Sequence, residues 1–254
     1  LLPGDGEARL RDAGICLYVP SRPGHGNSTM DSSLDVMSDN LVALRVFLDQ
    51  VIGRPCLGVG LASGTLPLVV EAVANPTRFH GILAIGFSCG IDPSGVQRLP
   101  QIQRIMLQLA DSAPWVAELM AKSGHRMMRQ HGLDWYLERA FRHTLLNQQT
   151  VRNPDWTALI RNACEHLLKQ GHATFVRELQ LSRHSMDTAL RELRIPMRYL
   201  APTEDPGIDL ASCRQLERIN PLITVEPVTD AAELVFYQRN DLILDRIIAL
   251  AHRN

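Results

Sequence analysis

The stretch of this chain that most invites a chemical reading is Gly60-Leu61-Ala62-Ser63-Gly64. An apolar run from Cys56 to Val59 enters it and an apolar helical run from Leu66 to Ala74 leaves it. A short buried strand that turns sharply through small residues into a helix is the backbone of a nucleophile elbow, with its central side chain held in strain at the top of a parallel sheet. The turn is present but the attacking atom is not. The middle of the Gly-x-Ser-x-Gly frame is Ala62, whose methyl group neither attacks a carbonyl nor responds to a base. Moving the frame by one makes Ser63 the middle residue but puts Leu61 where the crowded turn requires a small one. Ala62 is therefore the elbow position, and Ser63 is expected to offer its backbone N–H rather than a nucleophilic hydroxyl.

Other residues with reactive or binding side chains are weaker candidates. Cys89 follows a strand-like run and is the one cysteine placed at an expected pocket mouth, but no histidine stands near it in sequence to favour a thiolate. His25, in Pro23-Gly24-His25-Gly26, either faces a pocket or is satisfied within its loop, and the second reading is simpler. His125, Arg126, Arg129 and His131 form a locally basic patch that exposed helix surface explains, although an anionic ligand would also suit it. Trp115, Trp135, Tyr136, Phe141 and Trp156 read as helical packing or pocket lining. Trp135 joins Ala62, Ser63 and Cys89 as the expected lining of a ligand pocket.

These residues need a scaffold, and the composition bounds it. A chain of 254 residues, 45% of them hydrophobic, buries one sizeable core, so a single α/β domain with an insertion is expected. A formal net charge of -1 favours neither a polyanion nor a membrane surface as partner. Cys16, Cys56, Cys89, Cys164 and Cys213 lack metal-ligand spacing and read as thiols of a reducing, cytoplasmic compartment. No metal and no cofactor is expected. The apolar runs fall short of the ~20 residues a membrane helix needs. The chain opens on Leu1-Leu2 without Met, which leads to the expectation of further sequence upstream.

In chain order, a short helix over Glu7–Asp12 precedes a strand over Ile15–Val19, and Pro20 to Ser28 is a loop. A helix spans Ser33–Val51 with one apolar face. The strand at Cys56 and the helix after the elbow lead to Asn75-Pro76 and a strand over Phe79–Phe87. From Gly90 to Arg191 no strand is expected, only helical stretches over Val96–Leu109, Pro114–Met120, Leu133–Leu146, Trp156–Gln170 and Thr174–Arg183. Strands then return over Ile195–Ala201 and Leu222–Pro227, with helices near Leu210–Ile219 and Asp241–Ala251. Alternating strand and helix predicts a mostly parallel sheet interrupted by an all-helical insertion. The expected organisation is a core over residues 1–90, the insertion over 91–192 and a second core segment over 193–254.

Arg22-Pro23-Gly24-His25-Gly26-Asn27-Ser28, the elbow at Gly60 to Gly64, Pro76-Thr77-Arg78 before a strand and the helical insertion together resemble the α/β-hydrolase fold, with the insertion as its cap. The resemblance implies a catalytic acid at Asp205, in Ala201-Pro202-Thr203-Glu204-Asp205, and places Glu233 where the general base stands, beside the nucleophile position Ala62. A carboxylate titrating near its ordinary ~4.3 is a poor substitute for imidazole at neutral pH. Asp205 then reads as structural, and Glu233 either binds a basic ligand group or pairs with an arginine. The fold's first strands, one of them between Ile15–Val19 and the Cys56 strand, are expected upstream of Leu1.

The run Leu10 to Ile15, the cap segments Gln170-Gly171 and Arg177-Glu178-Leu179, and the Ala232 to Tyr237 ending further resemble hydrolase-like domains of LuxR-type bacterial regulators. That resemblance implies a non-catalytic, ligand-sensing domain that binds a small molecule or forms a homodimer, with DNA bound only through an upstream domain. The alternatives are an esterase using a rearranged set such as Ser63, Asp205 and Glu233, or a structural dimerisation domain with a filled pocket.

Overall fold

Four short apolar runs become the four strands of one parallel sheet in the computed structural model, which describes residue 2, residues 4–87 and residues 93–252. Helix α1 spans Gly6–Asp12 and α2 spans Val36–Phe47. The Asp35 carboxylate caps α2 by accepting the N–H groups of Met37 and Ser38, so the helix begins later than Ser33. A π turn over Leu48–Ile52 ends it against Gly53, whose φ of 61° is a left-handed conformation that glycine adopts without strain. Strand β1 (Cys56–Leu61) then runs through a 3-10 turn, Ala62–Gly64, into α3 (Thr65–Ala74), and β2 follows over Phe79–Ile85.

Eight helices lie between β2 and the next strand among the described residues. They are α4 (Pro93–Arg98), α5 (Gln101–Ser112), α6 (Pro114–His131), α7 (Leu133–Ala140), α8 (Leu145–Arg152), α9 (Pro154–Gln170), α10 (His172–Ser182) and α11 (Asp187–Glu192). The sheet resumes with β3 (Met197–Pro202), α12 (Leu210–Ile219) and β4 (Ile223–Val228), and the chain closes with α13 (Val235–Gln238) and α14 (Asn240–Ala251). Strand order follows sequence order, β1-β2-β3-β4, and every pairing is parallel.

Both faces of the sheet are covered, as near-continuous apolar strands require. Ile82, Ala84, Tyr199 and Val225 join Leu66 and Val69 of α3 and Leu216 of α12 in one buried cluster. Leu83, Ile85 and Leu200 point the other way, into a cluster with Leu10 of α1 and Ile243, Leu244 and Ile247 of α14. Two smaller clusters lie among the inserted helices, one between α5, α6 and α10, the other between α7, α8 and α9 with Leu234 and Tyr237. No helix among the described residues is long and apolar enough to cross a membrane.

Several sequence expectations need correction. Ile15–Val19 does not pair as a strand: no ladder partner flanks it, and Leu17, Tyr18 and Val19 are 37%, 47% and 61% exposed. An apolar run is a strand only where a neighbour accepts its backbone hydrogen bonds, and β1 has none on its outer side among the described residues. Helix α6 continues past Met120 to His131, through Gly124. The expected helix over Leu133–Leu146 is two, because Thr144 leaves the helical conformation and caps α8.

Candidate active site

The elbow is built as its residue sizes demand. Ala62 sits at φ 48°, a left-handed backbone that only one other non-glycine residue of the described chain, Asp230, adopts. A Cβ on Gly60 would stand 2.5 Å from Thr65 Cα, which is backbone and has nowhere to go, so glycine is required there. Gly64 has an ordinary φ of -63° and open space around it. The strained apex is therefore Ala62, as the frame argument requires, and its methyl group is exposed. The N–H of Ser63 follows it at the lead-in to α3.

The carboxyl ends of β3 and β4 supply the acidic groups. Their loops are stitched together: Thr203 N–H donates to Val228 O at 3.0 Å, and Glu204 N–H donates to Ala231 O at 2.9 Å. Asp205 accepts the Gly207 N–H at 2.8 Å. Burial raises the Asp205 carboxyl, partly offset by that hydrogen bond. Glu233 keeps exposed surface, yet neighbouring atoms displace enough hydration to raise its carboxyl, and the Asp205 charge raises it further, to about 7.

The segment holding Glu233 is pinned to α8 on both sides of that residue. Gln238 Oε1 accepts the Ala232 N–H at 2.7 Å, and Asn147 Oδ1 accepts the Leu234 N–H at 3.3 Å. Gln238 Nε2 in turn donates to Asn147 Oδ1 at 3.0 Å and to Thr150 Oγ1 at 3.1 Å. Tyr136 of α7 lies above: burial first, then Cys164 and Glu233, push its hydroxyl up to about 12, so it stays a neutral donor. Sequence reasoning assigned no such role to Asn147 or Gln238, because nothing in a lone amide signals that a distant loop will need it.

A second cluster lies beside the elbow. Helix α10 packs on the turn after Ala62, and its Glu178 accepts Ser63 Oγ at 2.9 Å and Arg22 Nη2 at 2.7 Å on the same oxygen. Its other oxygen lies 3.6 Å from His25 Nε2, while His25 Nδ1 is 3.1 Å from Pro23 O. His25 thus touches both its own loop and a carboxylate.

The remaining candidates separate. Trp135 stacks on His131 with ring centroids 4.7 Å apart and carries the Arg139 guanidinium 5.5 Å from its ring centroid, while its neighbour Tyr136 is the residue coupled to Glu233. His125 is buried rather than part of an exposed basic face, and burial pushes its imidazole down. Cys89 lies outside the described residues. Among the described residues no group of three or more His, Cys, Asp or Glu is placed to hold a metal ion.

The sequence matches the family described as "Alpha/beta hydrolase family" over residues 1–246. Among solved structures, the chain is similar to an enol-lactonase from Burkholderia xenovorans LB400, at 18% identity and a TM-score of 0.61 over 91% of this chain and 78% of that one. It is similar to a thermophilic esterase from Thermogutta terrifontis, at 15% identity and a TM-score of 0.61 over 97% and 84%. It is also similar to a deformylase from Pseudomonas putida S16, at 13% identity and a TM-score of 0.66 over 97% and 89%. No curated protein matches it.

These findings overturn the expectation of a non-catalytic sensing domain of a LuxR-type regulator. The family matched is that of the alpha/beta hydrolases, and the three structures named above are hydrolytic enzymes, not regulators. Loss of hydration and the Asp205 charge push the Glu233 carboxyl up to about 7, above the ordinary value on which that expectation was argued.

Proposed function

The chain belongs to the alpha/beta hydrolase family, and on that premise we propose that it hydrolyses an ester, lactone or amide bond in a small molecule through a rearranged site. Glu233 is the general base and water is the nucleophile. The observation that carries the reading is a pair of interacting carboxyls, Asp205 and Glu233, in the loops after the parallel strands β3 and β4, with Glu233 pushed up to about 7 by lost hydration and by Asp205. Such a base is half ionised at neutral pH and strong enough to take a proton from water in the transition state.

Each step has a group proposed for it. Glu233 removes one proton from water as its oxygen adds to the acyl carbon, and the carbonyl oxygen becomes an oxyanion facing the N–H of Ser63. Collapse of the tetrahedral intermediate expels the alcohol or amine, which takes the proton from Glu233, and the acid is released. Ala62 leaves at the apex the space that a serine hydroxyl would fill, and no acyl-enzyme forms there. Tyr136 keeps its proton, since burial pushes its hydroxyl up to about 12. The relatives' substrates, as their names state them, are a lactone, an ester and a formyl amide; these set the bond class proposed here.

Ser63 is the competing nucleophile, since its hydroxyl already donates to a carboxylate. That carboxylate oxygen also carries the Arg22 ion pair, so it is committed to a salt bridge. Turnover of short p-nitrophenyl esters separates the readings. Glu233→Gln abolishes turnover and Ser63→Ala retains most of it; loss on Ser63→Ala would move the nucleophile to that serine, and an inert wild-type chain would end the hydrolase reading.

A further inference from the structure

We propose that Arg22, Ser63 and His25 form a carboxylate-binding subsite for the substrate, and that the chain's own Glu178 fills it at rest. The term substrate rests on the hydrolase reading above, whereas the subsite itself does not. Arg22 and His25 come from the loop before α2, and Ser63 comes from the elbow. Two of these side chains donate to one oxygen of Glu178, at 2.7 and 2.9 Å, and the third lies 3.6 Å from its other oxygen. Donors converging from two separate core segments on one carboxylate make an anion site, here occupied by a side chain of α10.

The occupant fits imperfectly. Arg22 reaches Glu178 through Nη2 alone, and its Nη1 is buried without any hydrogen-bond partner. A guanidinium presents a planar fork suited to both oxygens of a carboxylate, and a buried donor left unpaired is unfavourable. A carboxylate tethered to a helix is confined to the one-point contact; a free one is able to take both. Once Glu178 turns away, α10 stays docked, because Arg177 pairs with Asp39 at 3.0 Å and donates to Leu34 O at 3.1 Å, and Thr174 Oγ1 donates to Gly24 O at 3.3 Å. Both carboxylates cannot share one arginine without mutual repulsion, so the substrate anion must displace Glu178.

The ligand class is therefore an acyl compound with a carboxylate set apart from the scissile bond, such as a half-ester or half-amide of a short dicarboxylic acid. The subsite adjoins the elbow, so the anion anchors one end while the acyl carbon is presented beside Ala62.

Calorimetric titration with succinate, and with neutral succinamide as control, tests this. Glu178→Gln empties the site of its internal anion and is expected to tighten succinate binding at least about tenfold over wild type, the range of one charge-assisted bond. Adding Arg22→Gln removes the gain, Arg22→Lys restores part of it, and succinamide shows none. Glu178→Asp falls one methylene short of Arg22 and gives a smaller gain in the same direction, which serves if the glutamine variant is poorly folded. Equal succinate affinity in wild type and both Glu178 variants, or a gain that survives Arg22→Gln, overturns the subsite. The readout is equilibrium binding, so it stands if no ester is turned over. Turnover of neutral esters without succinate binding would overturn the subsite alone.

Discussion

At the residue scale, the decisive group is Glu233. Its carboxyl is raised to about 7, chiefly by burial and then by Asp205. The base is active when ionised, so kcat/KM on a neutral ester is expected to rise with pH along a limb whose apparent pKa lies near 7. Removing the Asp205 charge makes Glu233 easier to ionise, and Asp205→Asn should move that limb to lower pH. A limb that does not move, or one near 4.5, the ordinary value, would mean that another group governs the rate. The elbow gives a separate prediction. Ala62 holds φ 48°, a conformation costing an alanine about 1–2 kcal/mol that glycine avoids, against a glycine entropy cost of up to about 1 kcal/mol. Ala62→Gly is therefore neutral or stabilising by up to about 1 kcal/mol, whereas Gly60→Ala forces a Cβ onto Thr65 Cα and costs about 2 kcal/mol or more. Urea denaturation of the two variants checks the contrast, and a harmless Gly60→Ala would show that the turn has room to relax.

At the scale of elements, the site depends on how helices hold loops. Asn147, 2% exposed on α8, accepts from Leu234 N–H and from Gln238, and Gln238 accepts from Ala232 N–H. Asn147→Ala leaves the part-buried Leu234 N–H without its acceptor and Gln238 with Thr150 alone, at about 1–3 kcal/mol, and loosens the segment that aims Glu233. It is a positioning residue, so the expected signature is a fall in kcat exceeding the change in KM, with the pH limb retained but displaced as solvent reaches Glu233. An unchanged pH profile would reduce Asn147 to a purely structural role. Glu71 of α3 joins elements in a similar way: fully buried, it accepts from Arg45 at 2.7 Å and Asn75 at 2.8 Å and lies 3.3 Å from Arg78. Glu71→Ala removes the acceptor shared by Arg45 and Asn75, while Arg78 keeps Asp49, and should cost about 1–3 kcal/mol, read as a lower denaturation midpoint. The same scale explains what the sequence made legible. Cys56–Val59, Phe79–Phe87, Ile195–Ala201 and Leu222–Pro227 were readable as strands because each is a short apolar run closed by turn residues. Pro76-Thr77-Arg78 was readable as a motif, although its reason, the Arg78 contact with Glu71, was not. Ile15–Val19 has the composition of a strand and lacks only a neighbour, which composition cannot supply. Glu178 was quoted only for resemblance, because its meaning depends on which face α10 turns to the elbow.

At the scale of the whole molecule, the carboxyl groups divide into two sets with opposite effects on stability. Glu226 is held down by its hydrogen bonds with Arg246 and Arg198, and Asp35 by bonds from Ser38 and Met37. A lowered carboxyl contributes stability that is present above its unfolded value and lost as pH falls through the folded one, so these groups set the acid limit. Glu233 behaves in reverse. Its folded form holds the proton up to about 7, against an ordinary 4.5, so over that interval the folded state binds more protons than the unfolded one. The stability it contributes is complete below the ordinary value and declines as pH rises toward 7, which is also the interval in which the proposed base becomes active. Activity and stability should thus run in opposite directions through one titration, as expected where a functional group is kept in an environment that disfavours its charge. Thermal melts between pH 5 and pH 9 are expected to show Tm falling toward pH 7 to 8 in the wild type. In Glu233→Gln, which carries no proton to lose, that decline should shrink while the acid-side loss remains. Asp205, also raised by burial, should leave a residual slope at lower pH that disappears in the Asp205→Asn, Glu233→Gln double variant. A wild-type Tm that is flat from pH 5 to pH 8 would mean that Glu233 is hydrated like any surface carboxylate, and the general-base reading would fall with it.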